Sequence, residues 1–127
     1  MTDKTPAQKL LMKPGLRVLF VHPPENVAAL LGGLPSGVTV AENTQASVDF
    51  ILFFAGSRQA LEADLPHLSD LLKPAGMLWV AYHKGTSKIK SDINRDSIAA
   101  YAQTVGMTPV SLIAINDDWS ALRVKQV

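Results

Sequence analysis

The sequence predicts an α/β fold: a three-layer domain with a mostly parallel six-stranded sheet in the order 2-1-3-4-6-5, strand six antiparallel. Three observations lead there. Leu16–Val21, Val48–Ser57 and the run ending at His83 are apolar on both sides of the strand, as in parallel strands covered by helices. Leucines at helical spacing separate them, and two C-terminal strands flank the tight turn Asn116-Asp117-Asp118-Trp119. Strands alternating with helices imply right-handed crossovers, and the final hairpin supplies the antiparallel member.

Each element has its own local signal. Thr5-Pro6 reads as a cap and first helical position, opening a short helix over Pro6–Met12 that Pro14-Gly15 stops. After the first strand, Val27, Leu30, Leu31 and Leu34 mark a helix closed by Leu34-Pro35-Ser36-Gly37. A short strand, Val38–Ala41, ends at Glu42. Ser57 can cap the next helix, which carries Leu61, Leu65, Leu68 and Leu72. Pro66 lies inside that pattern, so a kink or two segments is expected there, with Asp64 near the start of the second. Lys73–His83 is a turn leading into a buried strand. A helix over Arg95–Val105 turns Ile98, Tyr101, Ala102 and Val105 inward and ends at Gly106 as a left-handed cap. The last strands cover Val110–Ile115 and Ser120–Lys125.

Composition narrows the function classes. The 127 residues suit one domain with a radius of gyration of about 14 Å. At 47% hydrophobic and 18% charged the chain is globular in type, and a net charge of +1 gives no overall field toward nucleic acid or anionic lipid. Neither nucleic acid nor membrane is therefore an expected partner. The sequence has no cysteine, which removes thiolate nucleophiles and sulfur-bound metals. The N-terminus lacks the apolar core of a signal peptide, and Phe50–Ala55 is too short to cross a bilayer, so the expected location is cytoplasmic.

A ligand in such a fold belongs beyond the carboxyl ends of the parallel strands. That edge collects His22, Gly56, Ser57, His83 and the loop from Lys84 through Gly85, Thr86, Ser87 and Lys88 to Asn94. Lysines, hydroxyls and a glycine in this loop, followed by a helix starting at Arg95, suit a phosphate or carboxylate. The plainer reading is a solvated lysine-rich loop, with Asp92 or Asn94 capping the helix. His22 and His83 are separated by one strand, about 9 to 10 Å, with only Glu25 and Glu42 near enough to add a ligand, so no metal is expected. No nucleophile elbow surrounds Ser57, and no catalytic residue is assigned. His67 is read as a surface helix residue, Trp79 as core, and Tyr82 and Trp119 as half-exposed.

The parallel sheet closed by an antiparallel hairpin strand resembles a trimmed class I methyltransferase fold, and "LLKPAGMLWVAY" is similar to the "LKPGG" turn and strand of those enzymes. The chain from "KPGLRVLFVHPPE" through "INDDWSALRV" also resembles a family of small bacterial proteins known only as a domain of unknown function. The methyltransferase likeness implies an adenosyl cofactor, with Glu42 at the end of the second strand positioned for ribose hydroxyls. Where glycines would shape the first loop, however, this chain has Pro23-Pro24, which lack backbone N–H donors and cannot adopt positive φ. The expected function is therefore a noncatalytic or regulatory binding module, holding a small anionic ligand or a protein partner at the carboxyl edge, and the reading leans away from an enzyme. One alternative is a small S-adenosylmethionine-dependent methyltransferase; another is a structural subunit that forms a homodimer through an exposed edge.

Overall fold

The computed structural model describes residues 5–41, 47–84, 92–116 and 118–126. Thr5 caps α1 (Pro6–Lys9): its side chain accepts from the Gln8 N–H, and the Gln8 side chain accepts in return from the Thr5 N–H. The expected extension to Met12 is corrected. Leu11 turns left-handed at φ 63°, ending the helix, and Met12 is buried beyond it.

β1 (Arg17–Val21) leads into α2, which is only Val27–Leu30. Its predicted continuation to Leu34 fails because Gly32 and Gly33 take φ 77° and 97° immediately after the last turn. β2 is two residues long, Thr39–Val40. β3 (Val48–Phe54) is buried at every position except the half-buried Asp49, as befits a central strand covered on both sides.

The largest departure lies in α3 (Arg58–Leu68), which runs unbroken through Pro66 and continues as a 3₁₀ turn over Ser69–Leu71. Neither a division nor a second start at Asp64 occurs. Proline at 66 removes the N–H that would bond to the Glu62 carbonyl, and Tyr101 from the next helix supplies a hydroxyl donor to that oxygen instead. β4 (Leu72–His83) absorbs the expected Lys-Pro-Ala-Gly turn as an irregularity: Leu72 pairs with Val48 while Met77 pairs with Phe50. Gly76 is required there, since a Cβ would lie 2.9 Å from the Asp49 carbonyl oxygen.

α4 (Arg95–Thr104) starts at an Asn94 capping box with Ser97 and ends before Gly106 at φ 80°. β5 (Met107–Ala114) and β6 (Trp119–Gln126) form the hairpin, each longer than the sequence reading. The sheet order is β2-β1-β3-β4-β6-β5, parallel except for β6, which is the predicted topology.

Two cores sandwich this sheet. Leu10 and Leu31 pack on Val18, Phe50, Leu52 and Trp79 on one face. Leu61, Leu65, Ile98 and Ala102 pack on Ile51, Phe53 and Val80 on the other. No helix among the described residues is long and apolar enough to cross a membrane.

Candidate functional site

The carboxyl edge of the parallel strands is where chain reversals leave backbone and side chains open to a ligand. At the exit of β1, His22 adopts φ 52° and Asn26 φ 57°, so left-handed residues stand on either side of Pro23-Pro24. The bend therefore obtains its positive φ angles without glycine, which amends the expectation drawn from the prolines. Their two missing N–H donors remain missing.

The left-handed turn also carries the His22 ring to the α3 side of the sheet. Its Nε2 lies 2.8 Å from Asp64 Oδ2, and its ring centroid is 6.3 Å from that of Phe53. With the His22 side chain 61% exposed, this pair is open to solvent and worth at most about 1 kcal/mol. It ties the end of β1 to the middle of α3.

At the exit of β3, Ala55 still bonds through its N–H to the Ala81 carbonyl, and Gly56 has open space where a side chain would stand. Ser57 accepts from the Ala60 N–H at 3.1 Å, the capping role that was the simpler reading of this residue. Asp92 reinforces the same helix start by accepting from the Arg58 N–H at 2.7 Å. Asp92 therefore serves α3, and Asn94 alone caps α4.

At the exit of β4, alternation sends neighbouring residues to opposite faces. His83 stacks on Trp119, its partner across the β4–β6 pair, with ring centroids 3.9 Å apart; Trp119 in turn meets Phe54 edge-on at 5.1 Å. The Nδ1 of His83 is buried without a hydrogen-bond partner among the described residues. His22 and His83 thus belong to opposite faces, beside Phe53 and Phe54 respectively, and do not converge.

Tyr82 faces α4 and is buried, not half-exposed as expected. Burial raises its phenol above the ordinary value of 10.0, opposed by hydrogen bonding to Ser120 and by the charge of Arg95. Tyr82 and Ser120, together with Lys84, Asn94, Arg95, Asp96 and Leu112, line an open cleft of about 440 Å³ between α4 and the hairpin. Sequence reasoning placed Lys84 and Arg95 at this edge but not Tyr82, Leu112 or Ser120. The period-two alternation of β4 together with the hairpin register was the signal that could have found them.

Glu42, Gly85, Thr86, Ser87 and Lys88 lie outside the described residues. Asp49, which the sequence reading passed over, sits at the opposite, amino edge of the sheet. It accepts from the Arg17 N–H at 2.9 Å and pairs with Lys73 at 3.2 Å, fixing the starts of β1, β3 and β4.

No protein-family model matches this sequence. No curated protein matches it either. Solved structures share its fold at low identity. The DhpI–SAH complex aligns with a TM-score of 0.64 and 12% identity over 94% of this chain and 82% of that one. A TehB-like SAM-dependent methyltransferase from Corynebacterium glutamicum gives a TM-score of 0.63 and 9% identity, covering 99% and 90%. A SAM-dependent methyltransferase from Aquifex aeolicus gives 0.59 and 16%, covering 97% and 90%. The fold is thus the Rossmann-like fold of class I S-adenosylmethionine-dependent methyltransferases.

Proposed function

We propose that this chain binds an S-adenosyl compound across the carboxyl ends of β1 and β3 and acts as a small methyltransferase. The supporting observation is the fold match: this six-stranded sheet, with antiparallel β6 between β4 and β5, aligns over 99% and 97% of the chain with two structures named as SAM-dependent methyltransferases, at TM-scores of 0.63 and 0.59. The residues at that edge fit such a ligand in two respects. His22 and Asn26 make the bend that glycines make elsewhere, and Gly56 leaves room beside it. They fit less well at Pro23 and Pro24, which withhold two backbone donors worth about 0.5 to 1.5 kcal/mol each. Methyl transfer depends chiefly on holding a reactive cofactor in line with its acceptor, so it requires no acid or base beyond the exposed His22–Asp64 pair at this edge.

Those same prolines favour a second reading, the noncatalytic binding module. The two separate in a pair of measurements. Calorimetry with S-adenosylmethionine and S-adenosylhomocysteine reads binding; incubation with methyl-labelled S-adenosylmethionine and fractionated cell extract reads transfer. Saturable binding with label transferred to an acceptor supports the methyltransferase. Binding without transfer supports the module, and absence of binding to either compound overturns the adenosyl site.

A further inference from the structure

The cleft between α4 and the β5–β6 hairpin has a composition of its own. Its inner wall is Tyr82, buried to 6% exposure, and directly across the strand pair is Ser120. The phenol lies close enough to Ser120 and to the charges of Arg95 and Asp96 to feel all three. A buried phenol hydrogen-bonded to a serine hydroxyl spends one of the two O–H donors within the pair and leaves the other for a ligand.

The rim adds charge of one predominant sign. Among the described residues that line it, Lys84 and Arg95 contribute two cations against the carboxylate of Asp96. Arg95 approaches Asp96 at 3.5 Å, but both side chains are more than half exposed, so this neighbouring pair is weak and leaves most guanidinium donors available. Lys84 has no ion-pair partner among the described residues; only its backbone N–H is engaged, with the Asp118 carbonyl. Leu112, 44% exposed on the edge strand, adds apolar surface to the lining of this open cleft. The volume of about 440 Å³ lies within the range of small-molecule sites.

We propose that this cleft is a binding site for a small organic anion, whose phosphate or carboxylate is held by Lys84, Arg95 and the O–H left free by the Tyr82–Ser120 pair and whose apolar body rests on Leu112. The site stands independently of the adenosyl reading, since it uses the α4 side of β4 and β6, not the ends of β1 and β3.

The test is calorimetry in low salt, with no adenosyl compound present, using phenyl phosphate, benzoate and inorganic phosphate as probes. One of the two aromatic anions should saturate at least about tenfold more tightly than inorganic phosphate, because only they reach Leu112, and the tighter of the two identifies the head group. The double variant K84Q/R95Q should lose about tenfold or more in affinity. Tyr82→Phe, which keeps the ring, should lose about threefold to tenfold, with unchanged circular dichroism showing intact folds. Failure of both aromatic anions to saturate, equal affinity for inorganic phosphate, or unaltered binding by well-folded K84Q/R95Q would each overturn the site.

Discussion

The Tyr101 hydroxyl donates a hydrogen bond to the Glu62 carbonyl oxygen at 3.2 Å, and Glu62 stands four residues before Pro66. The proline within α3 is thus accommodated by a donor from α4, which replaces the amide bond the helix cannot make. The arrangement couples two residues on different helices. Tyr101→Phe is expected to destabilise the protein by about 0.5 to 1 kcal/mol, since it strips the substitute donor from that carbonyl. In a Pro66→Ala background the same change should cost less, because an alanine at this position restores the amide donor. Urea unfolding of the two single variants and the double variant gives the coupling energy; strictly additive effects would refute the compensation.

At the amino edge of the sheet, Asp49 is held below its ordinary value of 3.8, first by the Arg17 N–H and then by Lys73, with burial working the other way. A carboxyl depressed on folding contributes stability above its unfolded value and loses it as pH falls through the folded one. Asp49→Asn should therefore lower stability by about 1 kcal/mol at neutral pH, and the gap from wild type should close as pH falls beneath 3.8 and through the lowered folded value. Thermal melts across pH 2.5 to 7 check this. A gap that persists in acid would show that the loss comes from packing and not from the charge.

Strand order was legible because parallel strands covered on both faces must be apolar along their central stretches, and Val18–Val21, Phe50–Phe54 and Met77–Ala81 are. Helix α4 was equally readable, since Asn94 and Gly106 are terminal signals that act locally. What escaped were features set by partners distant in sequence. Pro66 reads as a break until Tyr101 is seen beside Glu62, and Asp92 reads as a cap for the helix that follows it until Arg58 is seen beside it. At the site, the edge residues were found from topology, but His22 was turned to the α3 face by a left-handed conformation that histidine only infrequently adopts. Tyr82 was misjudged because its cover comes from α4 and the hairpin, not from its own strand.

His83 presents a buried ring nitrogen with no partner among the described residues, while its ring stacks on Trp119 at 3.9 Å. The stacking needs an aromatic ring; the nitrogen adds a desolvation cost. His83→Phe should keep the first and remove the second, raising stability by about 1 kcal/mol, or a melting temperature gain of about 3 to 5 °C. His83→Ala should instead lower stability, since it deletes the ring. Differential scanning calorimetry of both variants decides between them, and a destabilised His83→Phe would mean that the imidazole nitrogen contributes a bond in solution.

Tyr82 offers a direct optical test of how dry the cleft floor is. Burial is the largest influence on its phenol and raises it above 10.0, with the Ser120 hydrogen bond and Arg95 acting in the opposite direction. For an acid whose folded value is raised, the neutral form stabilises the fold fully below the unfolded value, and that contribution fades as pH climbs through the folded one. Alkaline titration of phenolate absorbance should therefore show a late component that Tyr82→Phe abolishes, accompanied by loss of stability above about pH 10 that the variant largely escapes. An organic anion seated against Lys84 and Arg95 should delay the component further, because a bound negative charge opposes phenolate formation. If Tyr82→Phe removes an early component instead, the hydroxyl is in contact with bulk water, and the cleft floor is wetter than its burial indicates.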